Sequence, residues 1–316
     1  MRNITLASIL FLMMVCTQSE RVIAQVQATI SEAEFAMQPL PSAAVNYAAW
    51  QETSEPRKWE PESAESENPY SEPMETDRHD FTQSTEVVGC GVIQLEYGFL
   101  YAFKDDEDEQ ENTFTTPELL IRYGLTDRLE IRSRWNVAWK FFSFEEDIEG
   151  MLDPLFSLKY RVSEQRRWVP NSALELRTTV PLGGDDLSTG RWEPGIDFIY
   201  GWEFGEFFSL TGSTGATANG LADIAFIDAT FDPRDQFFAW TQSAALGAKL
   251  TGRTTGYFEW FGIFANSGGE GYRPNYLNIG VDYLFTKNML VDVRLGWGLN
   301  NHSDELFAGM GGAVRF

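Results

Sequence analysis

The sequence predicts an all-β protein: a transmembrane antiparallel β-barrel of about twelve strands behind a largely disordered N-terminal segment. Three observations predict this fold class. Apolar and polar residues alternate along many stretches of roughly ten residues, short connections alternate with long ones, and the chain begins like a secreted protein. Alternation with a period of two indicates a strand, because successive side chains point to opposite faces of a sheet.

The alternation is clearest after a predicted turn at residues 124–127, GLTD. Glycine gives this turn its backbone freedom, and aspartate can hydrogen-bond its own main chain. A soluble sheet would bury the apolar face that follows, whereas a membrane barrel turns that face to lipid and the polar face to its lumen. The apolar face carries Leu129, Ile131, Trp135, Val137 and Trp139, and the polar face carries Glu130, Arg132, Arg134, Asn136 and Lys140.

Twelve stretches fit this pattern. The seventh and eighth are the least regular, so ten or fourteen strands remain alternatives. The predicted strands are 92–103, 112–123, a third from 129, 152–162, 172–180, 192–202, 206–218, 237–250, 255–264, 275–285, 288–299 and 305–316.

The connections alternate in length, as they do in bacterial outer-membrane barrels. The short ones are 124–126, 163–171, 203–205, 251–254 and 286–287. The longer and often acidic ones are 104–111, 142–151, 181–191, 219–236 and 266–274, with the shorter 300–304 as the exception. An even number of strands places both termini in the periplasm. The competing fold class is a soluble periplasmic β-sandwich, in which nothing requires short and long connections to alternate.

The N-terminal region divides into two predicted parts. Arg2 precedes an apolar run at 4–16, which is too short to span a bilayer as a helix, so residues 1–24 are predicted to be a signal peptide cleaved near Ala24. Residues 25–80 are rich in proline and glutamate and are predicted to be a disordered acidic periplasmic segment. A plug inserted into the barrel is the alternative. The barrel domain is assigned to 81–316.

Composition excludes several function classes. A net charge of −23 disfavours nucleic acid, because affinity for phosphates comes from Lys and Arg. Cys90 is predicted to be a small packed residue, and the acidic run at 105–111 a solvated loop rather than a metal site. His302 and Ser303 are adjacent and therefore badly placed for a catalytic dyad. No enzyme activity, cofactor or metal is predicted.

The charges on the polar faces are predicted to line the lumen, either as a selectivity field or as a structural network of paired charges. An alternating arginine–carboxylate ladder is expected across the first three strands. The predicted network is Glu96, Glu118, Arg122, Glu130, Arg132, Arg134, Asp292 and Arg294. Further lumen-facing charges are Lys159, Arg161, Glu175, Arg177, Asp197, Glu259 and Asp282.

The last residue, Phe316, ends a predicted strand. Barrels of the outer membrane commonly close with an aromatic C-terminal strand, so Phe316 is predicted to be an assembly signal. The expected partners are outer-membrane lipids, the barrel assembly machinery and an unidentified small molecule.

Two stretches resemble the outer-membrane family named for the meta-pathway of phenol degradation. Residues 76–96 read TDRHDFTQSTEVVGCGVIQLE and residues 118–135 read ELLIRYGLTDRLEIRSRW. His79, Gln83 and Thr85 depart from the first family motif, and Gly89 and Cys90 stand where prolines are usual. The resemblance implies an outer-membrane barrel that passes small hydrophobic or aromatic compounds. A non-conducting structural barrel with a periplasmic interaction segment is the alternative function.

Overall fold

The computed structural model describes residues 68–78, 81–106, 109–218, 238–265 and 272–316. The predicted signal peptide and most of the predicted N-terminal segment lie outside these ranges. Within them the chain forms thirteen strands: β1 Ile93–Asp106, β2 Glu109–Gly124, β3 Leu129–Phe142, β4 Ile148–Met151, β5 Leu155–Ser163, β6 Asn171–Thr179, β7 Glu193–Phe204, β8 Phe208–Ala218, β9 Phe238–Lys249, β10 Thr254–Ala265, β11 Asn275–Thr286, β12 Met289–Gly298 and β13 Leu306–Arg315.

Twelve of these strands close into one antiparallel ring. Each pairs with its neighbour in sequence, β3 pairs with β5, and β1 pairs with β13 from Gln94↔Arg315 to Phe103↔Leu306. Phe316 extends this seam, because its N–H donates to the Ile93 carbonyl (2.8 Å) and its carbonyl accepts from the Ile93 N–H (3.2 Å). The predicted twelve-stranded barrel is confirmed, and the β-sandwich alternative is wrong.

Side-chain burial shows that the barrel is polar inside and apolar outside. On β5, Lys159 is 0% exposed, whereas its neighbours Leu158 and Tyr160 are 45% and 46% exposed. Because successive residues of a strand point to opposite faces, the charged face is the inner one. This is the arrangement of a barrel with a lipid-facing outer wall. No helix among the described residues is long and apolar enough to cross a membrane.

The first hairpin is longer than the sequence indicated. Residues 104–111 were expected to be a connection, and the acidic run at 105–111 a solvated loop, but β1 runs to Asp106, β2 begins at Glu109, and the pairing continues to the end of both strands. Lys140 Nζ on β3 lies 2.7 Å from Glu111 Oε1, and both side chains are buried. The acidic composition misled the prediction because this partner lies on another strand.

A second difference lies in the connection expected at 142–151. It contains β4, which pairs with the end of β3 from Val137↔Met151 to Lys140↔Ile148. A short break follows, closed by the Leu152 N–H donating to the Asn136 carbonyl (2.9 Å), and β5 then continues along the same strand. The predicted strand 152–162 corresponds to β5, and β4 in the connection before it also pairs with β3.

Residues 74–78 and 81–88, here called the lumen segment, lie inside the barrel. The segment begins at Met74, whose N–H donates to the Lys287 carbonyl in the β11–β12 turn and whose side chain packs on Leu290 and Ala313. It ends before Gly89 and Gly91, whose positive φ angles turn the chain into β1. Residues 74–78 had been assigned by sequence to the periplasmic segment, with a plug as the alternative.

Candidate functional site

Asp77 is the centre of the charges inside the barrel. Its Oδ2 lies 2.7 Å from Lys159 Nζ, 3.3 Å from Arg132 Nη2 and 3.5 Å from Arg122 Nη1. Its Oδ1 accepts the N–H of Ser84 at 2.7 Å. Asp77 and its three cationic partners are all buried. One carboxylate of the lumen segment therefore neutralises cations from β2, β3 and β5.

The surroundings of Asp77 keep it ionised. Burial alone would raise the pKa of its carboxyl, because a charge is less stable away from water. Arg122, Lys159 and Arg132 outweigh that effect and hold the pKa of Asp77 far below its ordinary range. Asp77 is accordingly ionised beside the three basic side chains.

Arg78 occupies a slot that two glycines create. Its Nη1 lies 2.8 Å from Glu118 Oε2 on β2, and its Nη2 lies 2.5 Å from Asp292 Oδ1 on β12. Gly98 of β1 and Gly311 of β13 are paired directly opposite each other. A Cβ at either glycine would come within 2.1 Å of the guanidinium, so neither position has space for a side chain.

Carboxylates of the wall satisfy the main chain of the lumen segment. Glu96 Oε2 accepts the N–H groups of Asp77 and Arg78, both at 2.9 Å. Glu259 Oε1 accepts those of Phe81 (3.0 Å) and Thr82 (2.6 Å). A buried segment outside a sheet needs such acceptors, because an unpaired buried N–H is costly. The wall thus supplies the hydrogen bonds that a sheet would otherwise give.

Glu130 contacts both the main chain of the lumen segment and the arginines of the wall. Its Oε2 accepts the N–H of Val88 at 2.9 Å, and its Oε1 lies 3.0 Å from Arg122 Nε and 3.6 Å from Arg132 Nε. Arg122 in turn lies 3.2 Å from Glu96. Glu130 therefore holds the end of the lumen segment and two wall arginines at once.

The eight residues of the network expected from the sequence all lie inside the barrel, but they divide into two groups. Arg294 Nη2 lies 3.1 Å from Glu118 Oε1, so Glu118 pairs across β1 and β13 with Arg294. It also pairs with Arg78 of the lumen segment, and not with an arginine of β3 as expected. The first group is Glu96, Arg122, Glu130 and Arg132, and the second is Glu118, Asp292, Arg294 and, lining a cavity nearby, Arg134.

Sequence reasoning missed Asp77 and Arg78, which connect the two groups. Both stand in the TDR opening of the first family motif. The signal was an aspartate followed by an arginine, within a motif that precedes the first strand and does not alternate as a strand does. Alternation identifies only strands, so it could not assign these residues to the lumen.

Phe81 contributes an aromatic contact inside the polar lumen. Its ring stacks on Phe261 with centroids 3.4 Å apart and an interplanar angle of 17°. Phe261 also stacks on Tyr276 (4.7 Å), and Phe307 meets Phe81 edge-on (6.5 Å). Leu100 belongs to the same buried cluster. The lumen therefore has an apolar wall, formed by β1, β10, β11 and β13.

Two cavities lie on opposite sides of the lumen segment. The outer chamber, of about 140 Å³, lies towards the long connections and has Arg78, Phe81 and Gln83 in its lining. The inner chamber, of about 270 Å³, lies towards the short turns and has Thr82, Gln83 and Ser84 in its lining. Gln83 lines both chambers, and its Oε1 accepts a hydrogen bond from Arg132 Nη1 (2.5 Å). The short stretch around Gln83 therefore separates the chambers.

The connection between β12 and β13 is tied to β11. Ser303 Oγ accepts the Asn275 N–H (2.9 Å) and donates to the Asn275 carbonyl (2.8 Å). The Tyr276 hydroxyl donates to Asp304 Oδ2 at 2.8 Å. Burial raises the pKa of Asp304 to about 6. Ser303 thus has a structural role here. Among the described residues, no group of three or more His, Cys, Asp or Glu side chains is arranged to hold a metal ion.

Replacing Glu130 with glutamine tests the first group of charges. We expect a loss of about 3 kcal/mol in unfolding free energy, because two buried arginines lose an anionic partner. Urea unfolding of the barrel in detergent, followed by tryptophan fluorescence, measures the change. Glu149→Gln, an exposed position on β4, is the matched control and should unfold like the parent. Equal unfolding of both variants would contradict a structural role for Glu130.

Solved structures of outer-membrane barrels are similar to this chain. A crystal structure of an outer membrane channel from Pseudomonas putida F1 is similar, at 13% identity and a TM-score of 0.55, over 74% of this chain and 98% of that one. The KdgM porin is less similar, at 11% identity and a TM-score of 0.44, over 71% of this chain and 99% of that one. The β domain of a Bordetella autotransporter has 11% identity and a TM-score of 0.46, over 72% of this chain and 100% of that one.

No curated protein sequence matches the chain. One family model does match, over residues 76–316. The match begins at the TDR motif of the lumen segment and ends at Phe316, and it includes every strand of the barrel. The chain therefore belongs to the family described as "Putative MetA-pathway of phenol degradation".

Proposed function

We propose that the protein is an outer-membrane channel for the passive passage of small molecules with apolar or aromatic parts. The observation that carries this proposal is the pair of chambers in one lumen, whose linings have only Gln83 in common. A purely structural barrel has no need of two cavities beside an internal segment. The cluster of Phe81, Phe261, Tyr276 and Phe307 supports an apolar or aromatic cargo, because it places aromatic rings within the lumen.

Passage between the chambers requires local movement of the lumen segment. Asp77 and Arg78 anchor the segment on one side of residues 82–84, and the hydrogen bond from the Val88 N–H to Glu130 anchors it on the other. The smallest movement is therefore a displacement of that stretch, which breaks its contacts with Glu259 and Arg132. Such a channel passes small molecules and excludes large ones. The proposal is transport without catalysis, since it assigns the buried charges to holding the segment and shaping the path.

Planar-bilayer recording of the purified protein, followed by liposome uptake of phenol and of sucrose, tests this function. We expect discrete conductance steps, and uptake of phenol above that of protein-free liposomes, with sucrose excluded. A folded barrel that gives neither conductance nor uptake would support the alternative, a non-conducting structural barrel whose N-terminal segment binds a periplasmic partner.

The proposed location is the outer membrane, reached after signal-peptide cleavage near Ala24 and insertion by the barrel assembly machinery. Phe316 supports this route, because it is 62% exposed on the outer wall and pairs with Ile93 at the closing seam. Deleting Phe316 is expected to reduce severalfold the heat-modifiable barrel recovered from outer membranes. Phe316→Tyr, which keeps an aromatic end, is the control. Unchanged recovery after the deletion would contradict an assembly role.

A further inference from the structure

We propose that the tip of the connection between β5 and β6 binds an anionic phospholipid, with two arginines on the lipid phosphate and a tryptophan beside the start of the acyl chains. This inference goes beyond the proposed function and does not depend on conduction. It rests on the proposed location in the outer membrane, with the short connections at the periplasmic surface.

The tip is a two-residue turn that is held firmly. The main chains of Arg166 and Val169 exchange two N–H···O hydrogen bonds, both at 3.0 Å, so Arg167 and Trp168 form the turn between them. Arg167 has a φ angle of 57°, a conformation that two-residue hairpin turns use. Gln165 donates to a main-chain carbonyl of β7 (3.0 Å) and accepts from the N–H of the same residue (2.7 Å). The turn is therefore fixed to the neighbouring hairpin.

The tip lies on the lipid side of the barrel. Trp202 Nε1 on β7 donates to the Trp168 carbonyl at 3.1 Å. Trp202 is four residues after Phe198, so the two share a face of the strand. That face is the outer one, because Phe198 is exposed and Ile199 beside it is buried. The connection between β5 and β6 therefore bends over the outer wall, at the level where the strands leave the membrane.

Two guanidinium groups are presented at this tip. Arg166 and Arg167 are exposed, and neither has an ion-pair partner among the residues that the structure describes. The acidic side chains nearby are placed elsewhere, since Glu164 lies 3.8 Å from Arg128 and Glu203 lines the inner chamber. The planar fork of an arginine matches the oxygens of a phosphate group. The charge at the tip thus favours a phosphate ligand.

The apolar surface at the tip indicates that this phosphate belongs to a lipid. Trp168 is 86% exposed and Val169 next to it is exposed as well. Tryptophan is enriched where its ring lies at the level of the lipid headgroups. Phe204 and Phe208, paired opposite each other at the next short turn, add two exposed rings. Guanidinium groups beside apolar rings suit an amphipathic anion, and a soluble phosphate would leave the rings without a partner.

Binding of phospholipids with identical acyl chains tests the inference. We would titrate the full-length protein in detergent with phosphatidylglycerol, phosphatidylethanolamine and water-soluble glycerol 3-phosphate, and measure bound lipid by native mass spectrometry. Phosphatidylglycerol should bind severalfold more tightly than phosphatidylethanolamine, and glycerol 3-phosphate should not displace it. Arg166→Gln combined with Arg167→Gln should weaken phosphatidylglycerol about twentyfold, because each basic side chain near an anionic membrane surface contributes a factor of about five.

The matched control removes two cations from another short turn. Lys249→Gln combined with Arg253→Gln changes the net charge equally, but both side chains belong to the lining of the inner chamber. This control should keep the preference for phosphatidylglycerol. Arg166→Lys combined with Arg167→Lys should retain most of the affinity, while Trp168→Ala should weaken both lipids alike.

Three results would overturn the inference. The first is equal affinity of the parent for the two lipids. The second is an equal effect of the two glutamine double variants, which would reflect net charge rather than a site at the tip. The third is displacement of phosphatidylglycerol by glycerol 3-phosphate, which would make the tip a site for soluble phosphates.

Discussion

Asp77→Asn is expected to lower the unfolding free energy of the barrel by about 3 to 5 kcal/mol, the usual result of removing one partner from a buried ion cluster. Lys159, Arg132 and Arg122 all face this one carboxylate oxygen at 3.5 Å or less. Asparagine keeps the size of the side chain but leaves three buried cations without their shared anion. Urea unfolding in detergent, followed by tryptophan fluorescence, measures the loss.

The matched control is Asp185→Asn, at an exposed position on the connection between β6 and β7, which should unfold like the parent. The pH dependence gives a second readout. Because the pKa of Asp77 is lowered in the folded protein, its contribution is fully present above its ordinary pKa, near 4, and disappears only as the pH falls through the lowered value. The stability difference between parent and Asp77→Asn should therefore be constant at neutral pH. A difference that vanishes between pH 8 and 6 would contradict this account.

The second large effect is expected from removing the lumen segment. A variant that lacks residues 25–86 but keeps residues 1–24 should conduct severalfold more than the parent in planar bilayers, because the two chambers become continuous. Its selectivity should also shift towards anions. The deletion removes three carboxylates of the lumen segment, Glu75, Asp77 and Glu86, against one guanidinium, Arg78. It leaves the former partners of Asp77, which are Arg122, Arg132 and Lys159, facing an open, water-filled lumen.

The control for that deletion lacks residues 25–67 only and retains the whole lumen segment. Its conductance and selectivity should match those of the parent. If both deletions behave alike, the lumen segment does not limit the current, and the separation of the chambers has no functional consequence.

The strands were predictable because apolar and polar residues alternate within each one. A residue such as Lys159 between Leu158 and Tyr160 shows the period of two in the sequence itself, and the membrane makes the apolar face the outer one. Even the irregular stretches proved to be strands, since 206–218 and 237–250 correspond to β8 Phe208–Ala218 and β9 Phe238–Lys249. Whether a stretch forms a strand can therefore be predicted from the residues of that stretch alone.

The lumen segment was not predictable in the same way, because its structure depends on partners far along the chain. Phe81 and Thr82 have no period to reveal them, and their main-chain hydrogen bonds go to Glu259, more than 170 residues away. Glu259 itself was expected to face the lumen, but alternation cannot tell whether a lumen carboxylate meets an arginine, water or a peptide N–H. The tie between Glu111 and Lys140 escaped prediction for the same reason.

The most direct test of the central claim, that the lumen segment lies in the barrel and controls passage, is a cross-link between the segment and the wall. Thr82 Oγ1 and Ser243 Oγ of β9 are 2.7 Å apart, so cysteines at these two positions can form a disulfide. Cys90 is exposed and would be replaced by serine to prevent mispairing. The single variants Thr82→Cys and Ser243→Cys in that background are the controls.

The measurement is phenol uptake by liposomes that contain the double-cysteine protein, before and after reduction. We expect the oxidised protein to be folded and cross-linked within one chain, with uptake abolished by the cross-link and restored by reductant. A folded barrel in which the disulfide does not form would contradict the position of the segment, and a cross-linked barrel with undiminished uptake would contradict its control of passage.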